Sequence, residues 1–246
     1  MCGRFVSASS PALLAERFDV DEVAIEDSEP HYNVAPRAQV MVVRQRDDHR
    51  VLSRVRWGLV PSWAREPSIG DRMINARAES LATKPAFKRS FAKKRCLVPA
   101  DGFYEWQVVA PAATPKGRPK KQPVFVHRRD GEPMAFAGLW SVWKIPDGLE
   151  VEGAGPDGWL RSCAIVTTGA NDLLRPVHDR MPVLLPESAW SAWLDPANED
   201  LDALASLLMP APDDELELWP VSLAVNTADT DGPELVKPVE PAGDLP

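Results

Sequence analysis

Segments of strand length and strand composition dominate this chain, and they do not alternate with helices in any regular way. That ordering argues against a doubly wound parallel sheet. It favours an α+β domain with a curved, mainly antiparallel, barrel-like β-sheet and a few flanking helices. Ala38 to Arg44 and Val51 to Trp57 read as neighbouring strands around the turn-forming Asp47-Asp48 pair. Pro123 to Val126 and Met134 to Trp140 read as a further hairpin around Asp130-Gly131, with more strands expected at 162 to 167, 182 to 185 and 218 to 225. Helices are expected over Pro11 to Phe18 with Ser10 as cap, Ser80 to Lys84 with a helical turn near 86 to 91, Ser188 to Leu194, and Leu201 to Leu208.

At 246 residues the chain suffices for one sizeable core, and no repeat or low-complexity linker divides it. A domain over 1 to 228 is expected, followed by an acidic, Pro/Gly-rich irregular tail over 229 to 246 with few anchors. Residues 110 to 121 and 146 to 158 read as surface insertions. There is no run of eighteen apolar residues and no signal-peptide pattern, so a cytoplasmic, nucleoid-associated protein without a membrane partner is expected. Cys2, Cys96 and Cys163 have neither disulfide nor zinc spacing, and no metal or organic cofactor is called for. Cys96 reads as a buried core thiol. The net charge of −8 hides a sharp asymmetry: residues 37 to 95 carry 15 Lys/Arg against 5 Asp/Glu, whereas 187 to 246 carry 1 against 14. A polyanion responds to the local field more than to the total, so the basic segment keeps nucleic acid open as a partner.

Cys2 matters for its position. Removal of Met1 would leave a first residue with both an α-amine and a thiol, whose reference pKa values of about 8 and about 8.5 make both partly nucleophilic near neutrality. Together they suit an aldehyde: the amine forms an imine and the thiol closes a thiazolidine ring. Arg4 and Arg77 are planar clamps suited to phosphate, and Asn75, two residues before Arg77, offers both a donor and an acceptor. In an extended segment Asn75 and Arg77 share a face, and Glu79 would orient one of them or start the following helix. Glu105, set among Phe103, Tyr104 and Trp106, is expected to be partly desolvated with a raised pKa, as a proton shuttle needs. His178, tuned by Asp179 or Arg180, is the candidate acid/base. Thr167 and Thr168 offer hydroxyls to a sugar or phosphate, and Trp63 is the tryptophan expected to be partly exposed, to stack on a base or wedge a duplex end.

Several blocks in a fixed order carry a resemblance: Met1-Cys2-Gly3-Arg4-Phe5, Tyr32 to Pro36, Arg56 to Trp63, Asn75 to Glu79, Arg95 to Trp106, Ala137 to Trp140, and His178 to Pro182. They resemble the SOS response-associated peptidase family, the abasic-site processing proteins, over residues 1 to about 225. The resemblance implies a positively charged cleft for single-stranded DNA and covalent capture of abasic sites by Cys2 after self-removal of Met1. It further implies that Asn75 positions the reacting group, that Glu105 assists at the α-amine, that His178 acts as acid/base near the opened sugar, and that Arg4 and Arg77 contact phosphate. The expected partner is single-stranded DNA containing abasic sites, including those at single-strand/double-strand junctions, bound by a monomeric chain. Two other readings share these residues: a thiol peptidase acting in trans through Cys2, His178 and Asn75, and a non-covalent binder of single-stranded or modified DNA using Arg4, Arg77 and Trp63.

Overall fold

The computed structural model describes residues 2–26, 28–111, 117 and 119–240. Its centre is a ring of five strands: β4 (Gln39–Arg46), β5 (His49–Trp57), β7 (Arg95–Ala100), β10 (Met134–Lys144) and β11 (Trp159–Gly169). Antiparallel ladders join β5 to β4, β4 to β7, β7 to β10 and β10 to β11. A parallel contact of β11 with β5, Ser162 opposite Arg56 and Cys163 opposite Trp57, then closes the ring. Closure removes the two open edges that such a sheet would otherwise present. Around it, β2 (Glu22–Val23) adds to β5, and β6 (Asn75–Arg77) and β12 (Arg180–Pro182) both add to β11.

A second sheet of five strands stands beside the ring: β13 (Leu216–Pro220), β9 (Lys120–Arg128), β8 (Gly102–Ala110), β1 (Phe5–Ser7) and β3 (His31–Val34), in that spatial order. The chain crosses from β7 to β8 at Asp101, whose carboxylate accepts from the amides of Ala8 (2.6 Å) and Ser9 (2.9 Å). Immediately after it, Gly102 lies so close to Phe125 that a Cβ would come within 2.3 Å of the ring. The alternation of inward and outward side chains divides the ring strands between two cores. Phe136, Cys96, Cys163, Ile165 and Trp57 lie in one, together with Cys2, Phe5 and Phe103. Ala135, Ala137, Leu139, Leu97 and Val166 lie in the other, beneath α1 (Pro11–Arg17), α2 (Pro85–Lys93), α3 (Glu187–Leu194) and α4 (Leu201–Ser206).

The α+β class, the barrel-like sheet and the Asp47 turn are as the sequence predicts, and Ser10 caps α1 by accepting from the Leu13 amide. The hairpin over 123 to 140 is not formed. Gly131 does turn with positive φ, but β9 pairs with β8 and β13 while β10 pairs with β7 and β11, so this turn carries the chain between sheets. Residues 80 to 84 continue a short 3-10 turn (Ala78–Ser80), and the helical turn expected near 86 to 91 is the nine-residue α2. The strand expected at 218 to 225 ends at Pro220 and gives way to a 3-10 turn over Leu223–Asn226. Residues 231 to 239 include a 3-10 turn (Pro233–Val236) and are anchored, against the expectation of few anchors. Leu235 is fully buried, Asp231 accepts from the Tyr32 amide at 2.6 Å, and the Val239 amide donates to Pro220. The end of the expected tail, 241 to 246, and much of the 110 to 121 insertion lie outside the described residues. No helix is long and apolar enough to cross a membrane among the described residues.

Candidate active site at the start of the chain

Cys2 leads into β1 and is fully buried in the core that it shares with Phe5, Phe103 and Trp57. Its Sγ lies 3.9 Å from the Arg4 carbonyl oxygen. Burial pushes the thiol well above its ordinary value, and the nearby charge of Glu105 pushes in the same direction, while the positive chain terminus pulls it down. The thiol is therefore neutral as it stands.

Asn75 reaches this residue because β6 adds to β11 in parallel, with Asn75 opposite Ile165 and Arg77 opposite Thr167. Asn75 Nδ2 donates to the Cys2 carbonyl oxygen at 2.7 Å. Its Oδ1 is buried without a hydrogen-bond partner among the described residues. Glu105 arrives from another direction. β8 runs antiparallel to β1, with Phe5 opposite Phe103 and the Tyr104 amide donating to Arg4 O, so the residues after Tyr104 run back alongside the start of the chain. Glu105 is 2% exposed, and burial raises its carboxyl above the ordinary range, with the positive terminus acting against this. The raised value agrees with expectation, but the surroundings differ. In a strand Phe103 shares the face of Glu105, whereas Tyr104 and Trp106 pack with Val6 and Phe125 on the opposite side.

His178 lies just before β12. Its Nδ1 accepts from the Arg180 amide at 3.0 Å and stands 2.9 Å from Asp179 Oδ1, so both neighbours named from the sequence touch the ring. Burial lowers its pKa and the positive terminus lowers it further, while Asp179 and the Arg180 amide act in the opposite sense.

The other named residues divide. Arg77 is exposed on β6, whereas Arg4 is only partly so, and its Nη1 donates to Asn33 Oδ1 (2.7 Å) and to Val225 O (2.9 Å). Glu79 orients neither Asn75 nor Arg77. It accepts from both Nη atoms of Arg180, at 2.6 and 3.0 Å, and Arg180 also donates to Thr167 O at 2.7 Å. Thr167 is fully buried, with its hydroxyl turned toward Arg180, and Thr168 is 7% exposed, so neither is offered to solvent as an open sugar or phosphate contact. Trp63 is exposed as expected, but it lines a pocket with α2, Val142 and Trp159, and the structure does not bring it to Cys2. Cys96 and Cys163 are buried core thiols.

Sequence reasoning gave Asn33 no role, although it is the knot behind Arg4: its Nδ2 donates to Thr227 O (3.0 Å) and Thr230 O (2.8 Å). A buried Asn in a Tyr-Asn-Val-Ala-Pro block was the available signal. Arg180 was assigned only to tuning, and the bidentate partner that holds it is 101 residues away.

A profile of the SOS response associated peptidase (SRAP) family matches residues 1–228. The chain belongs to that family. It is 39% identical over 238 residues to the abasic site processing protein YoqW of Bacillus subtilis, covering 96% of this chain and 99% of that one. It is 36% identical over 248 residues to the abasic site processing protein YedK of Escherichia coli, covering 97% and 100%. With the abasic site processing protein HMCES of Gallus gallus it shares 32% identity over 234 residues, 86% of this chain and 67% of the other. Among solved structures, a phage-related protein of Bordetella bronchiseptica superposes with a TM-score of 0.66 at 32% identity, covering 89% and 94%. A Bacteroides thetaiotaomicron protein superposes with a TM-score of 0.80 at 23% identity over 97% and 100%, a likeness of fold. The SRAP profile ends before Asp231, so the anchoring of β3 by Asp231 lies past the matched span.

Proposed function

We propose that this SRAP protein captures abasic sites in single-stranded DNA covalently through Cys2. Water first cleaves the Met1-Cys2 amide, releasing methionine and leaving the Cys2 α-amine. The amine attacks C1′ of the ring-opened sugar and expels water as the imine forms. The thiol then adds to the imine carbon and its proton passes to nitrogen, closing the thiazolidine. Glu105 and His178 move the protons, Asn75 holds the Cys2 main chain, and Arg77, with the free edge of Arg4, faces phosphate. Rapid closure shields the strand from elimination at the neighbouring phosphate. In this reading the protein acts as a monomer near the nucleoid, on lesions in single strands and at their junctions with duplex.

The observation that carries the reading is the Cys2 environment: a buried cysteine just ahead of β1 whose carbonyl is held by Asn75 at 2.7 Å, with the charge of a carboxyl that burial keeps toward its protonated form acting on its thiol. A peptidase acting in trans needs an exposed, activated thiolate. The buried, neutral Cys2 thiol argues against it.

Intact-protein mass spectrometry after mixing with a single-stranded oligonucleotide bearing one abasic site tests the proposal. The expected species is Met-free protein plus oligonucleotide less one water, with the adduct mapping to Cys2. A heat-stable adduct of normal yield from Cys2→Ala protein would overturn it.

A further inference from the structure

β1 begins at Phe5, so Cys2, Gly3 and Arg4 run ahead of it. The start of a chain frays unless something ties it down. Among the described residues the polar tethers on this stretch are Asn75 Nδ2 on the Cys2 carbonyl (2.7 Å), the Tyr104 amide on the Arg4 carbonyl (3.0 Å), and the Arg4 guanidinium. The first two act on the main chain. The third reaches Asn33 and also Val225, 221 residues away. We propose that Asn33 is a positioning residue for Cys2: with the strap formed by residues 225 to 231 it pins the Arg4 guanidinium, and so fixes the start of the chain where Asn75 holds it from the other side. The inference rests on the reading of Cys2 as the reacting residue.

Asn33 is 6% exposed. Its Oδ1 accepts from Arg4 Nη1 at 2.7 Å and Val225 O accepts from the same nitrogen at 2.9 Å, so both N–H groups of Nη1 are in use. The Nε and Nη2 edge takes no part in the pin and stays open. Both acceptors are neutral oxygens, so the guanidinium is fixed without losing its charge. The Asn33 amide nitrogen serves the strap, donating to Thr227 O at 3.0 Å and Thr230 O at 2.8 Å. Only a side chain with both an acceptor and two donors can hold a cation and a run of carbonyls at once. Val225 packs with Val6 and Tyr104, in a different core from Cys2, so the pin and Asn75 grip the chain start from separate directions.

The strap is itself secured on both sides of Asn33. Asn226 Oδ1 accepts from Trp106 Nε1 at 2.7 Å, and Asp231 Oδ1 accepts from the Tyr32 amide at 2.6 Å. Tyr32 precedes Asn33 on β3, so Asp231 fastens the strap to the strand that supplies the pin. Beyond it Leu235 is fully buried and Trp219 Nε1 donates to Val236 O at 2.8 Å. A shift of the strap is thereby passed to Arg4, two residues from Cys2. Thr230 and Asp231 lie past residue 228, where the SRAP match ends.

The experiment reads alkylation of Cys2 and crosslinking in the same full-length variants. Cys2, Cys96 and Cys163 are all 0% exposed, so iodoacetamide reaches each only through an opening, and the two core thiols report general loosening. A hydrogen bond to a charged group is worth a factor of about ten or more. Asn33→Ala is therefore expected to raise Cys2 alkylation about tenfold by peptide mass spectrometry, with Cys96 and Cys163 within about twofold of wild type. Its single-turnover crosslinking rate at saturating abasic oligonucleotide is expected to fall about tenfold. The salt dependence of binding to undamaged strand should not change, because the charge of Arg4 remains. In an Arg4→Ala background the same substitution should add less than about twofold to either readout. Equal rises at all three cysteines would overturn the proposal, as would unchanged alkylation of Cys2. If Asn33→Ala does not fold, Asp231→Ala, which leaves Asn33 and Arg4 in place, should move both readouts the same way by about threefold. A wild-type protein that crosslinks nothing would count against the proposed function alone, since alkylation of Cys2 still decides the pin.

Discussion

Asn75 can act on the first residue in two ways, and one pair of substitutions separates them. Its Nδ2 donates to the Cys2 carbonyl at 2.7 Å, and its Oδ1 is a buried acceptor without a partner among the described residues. If the donated bond positions Cys2, then Asn75→Ala leaves the Cys2 carbonyl unsatisfied, at a cost of about 1–3 kcal/mol. Felt fully in the transition state, that is roughly a 5-fold to 150-fold loss of crosslinking rate. Asn75→Asp keeps the shape but sets a carboxylate against a carbonyl oxygen, so it should be at least as slow as Ala. If instead Oδ1 does the work by accepting from the α-ammonium, Asp should retain or improve the rate. The assay is a single-turnover time course on an abasic oligonucleotide, resolved on a denaturing gel. The final yield should match wild type in both variants, because amine and thiol remain. A rate within twofold of wild type for both variants would refute a role for Asn75 in placing Cys2.

Cys2→Ala is expected to abolish the heat-stable adduct and to leave slow, amine-dependent strand cleavage, visible as shortened oligonucleotide on the same gels. His178 should set the acid limb of the crosslinking profile. Its folded-state pKa lies below the ordinary 6.5, so activity should hold down to that pH and fall beneath it, and His178→Gln should erase this limb. Glu105 supplies a stability signal of opposite sign. Its folded-state pKa is raised above 4.5, so the folded state holds the proton more tightly and stability is lost as pH rises from 4.5 through the raised value. Glu105→Gln should therefore unfold at higher urea than wild type at pH 7, and the gain should vanish near pH 4. Away from the site, Arg95 is buried and donates to the carbonyls of Phe91 and Ala92 (both 2.7 Å), Trp193 (2.6 Å), Asp195 and Asn198 (3.2 Å), tying together the C-terminal ends of α2 and α3. Arg95→Met should cost about 3 kcal/mol or more in urea unfolding, and a loss below about 1 kcal/mol would show that these bonds are dispensable.

The strands of the ring were readable because they alternate or run apolar over five to ten residues and end in recognisable turns. What local pattern cannot convey is which edge a strand takes. The Asp130-Gly131 turn was visible, yet the partners of β9 and β10 are fixed by β8, β13, β7 and β11, far away in the chain. The parallel contact of β11 with β5, on which closure depends, leaves no local trace. In the candidate site, Cys2, Asn75, Glu105 and His178 are named from residue chemistry and the family resemblance. Their arrangement comes from two long-range registers, β8 on β1 and β6 on β11. The same limit explains Glu79, whose partner Arg180 arrives with β12. It also explains Asp231, whose anchor on β3 no tail composition would suggest.

The burial of Cys2 fixes the order of the proposed steps. A thiol held neutral by desolvation and by the charge of Glu105 is a poor first nucleophile, so attack on the aldehyde falls to the α-amine. Removing Met1 places the α-amine on Cys2 itself, the residue on which the charge of Glu105 acts. A protonated amine there is stabilised by an ionised Glu105, and deprotonation for attack returns a proton to the carboxyl, which burial favours. In that proposal, once the imine forms and gains its proton, a positive electrophile stands next to the thiol, lowers the cost of ionising it, and receives it. Under the proposed mechanism, burial that would disable a peptidase nucleophile keeps this thiol unreactive until the amine has engaged the lesion. This ordering requires an amine-linked intermediate, which borohydride should trap from wild type and from Cys2→Ala protein alike.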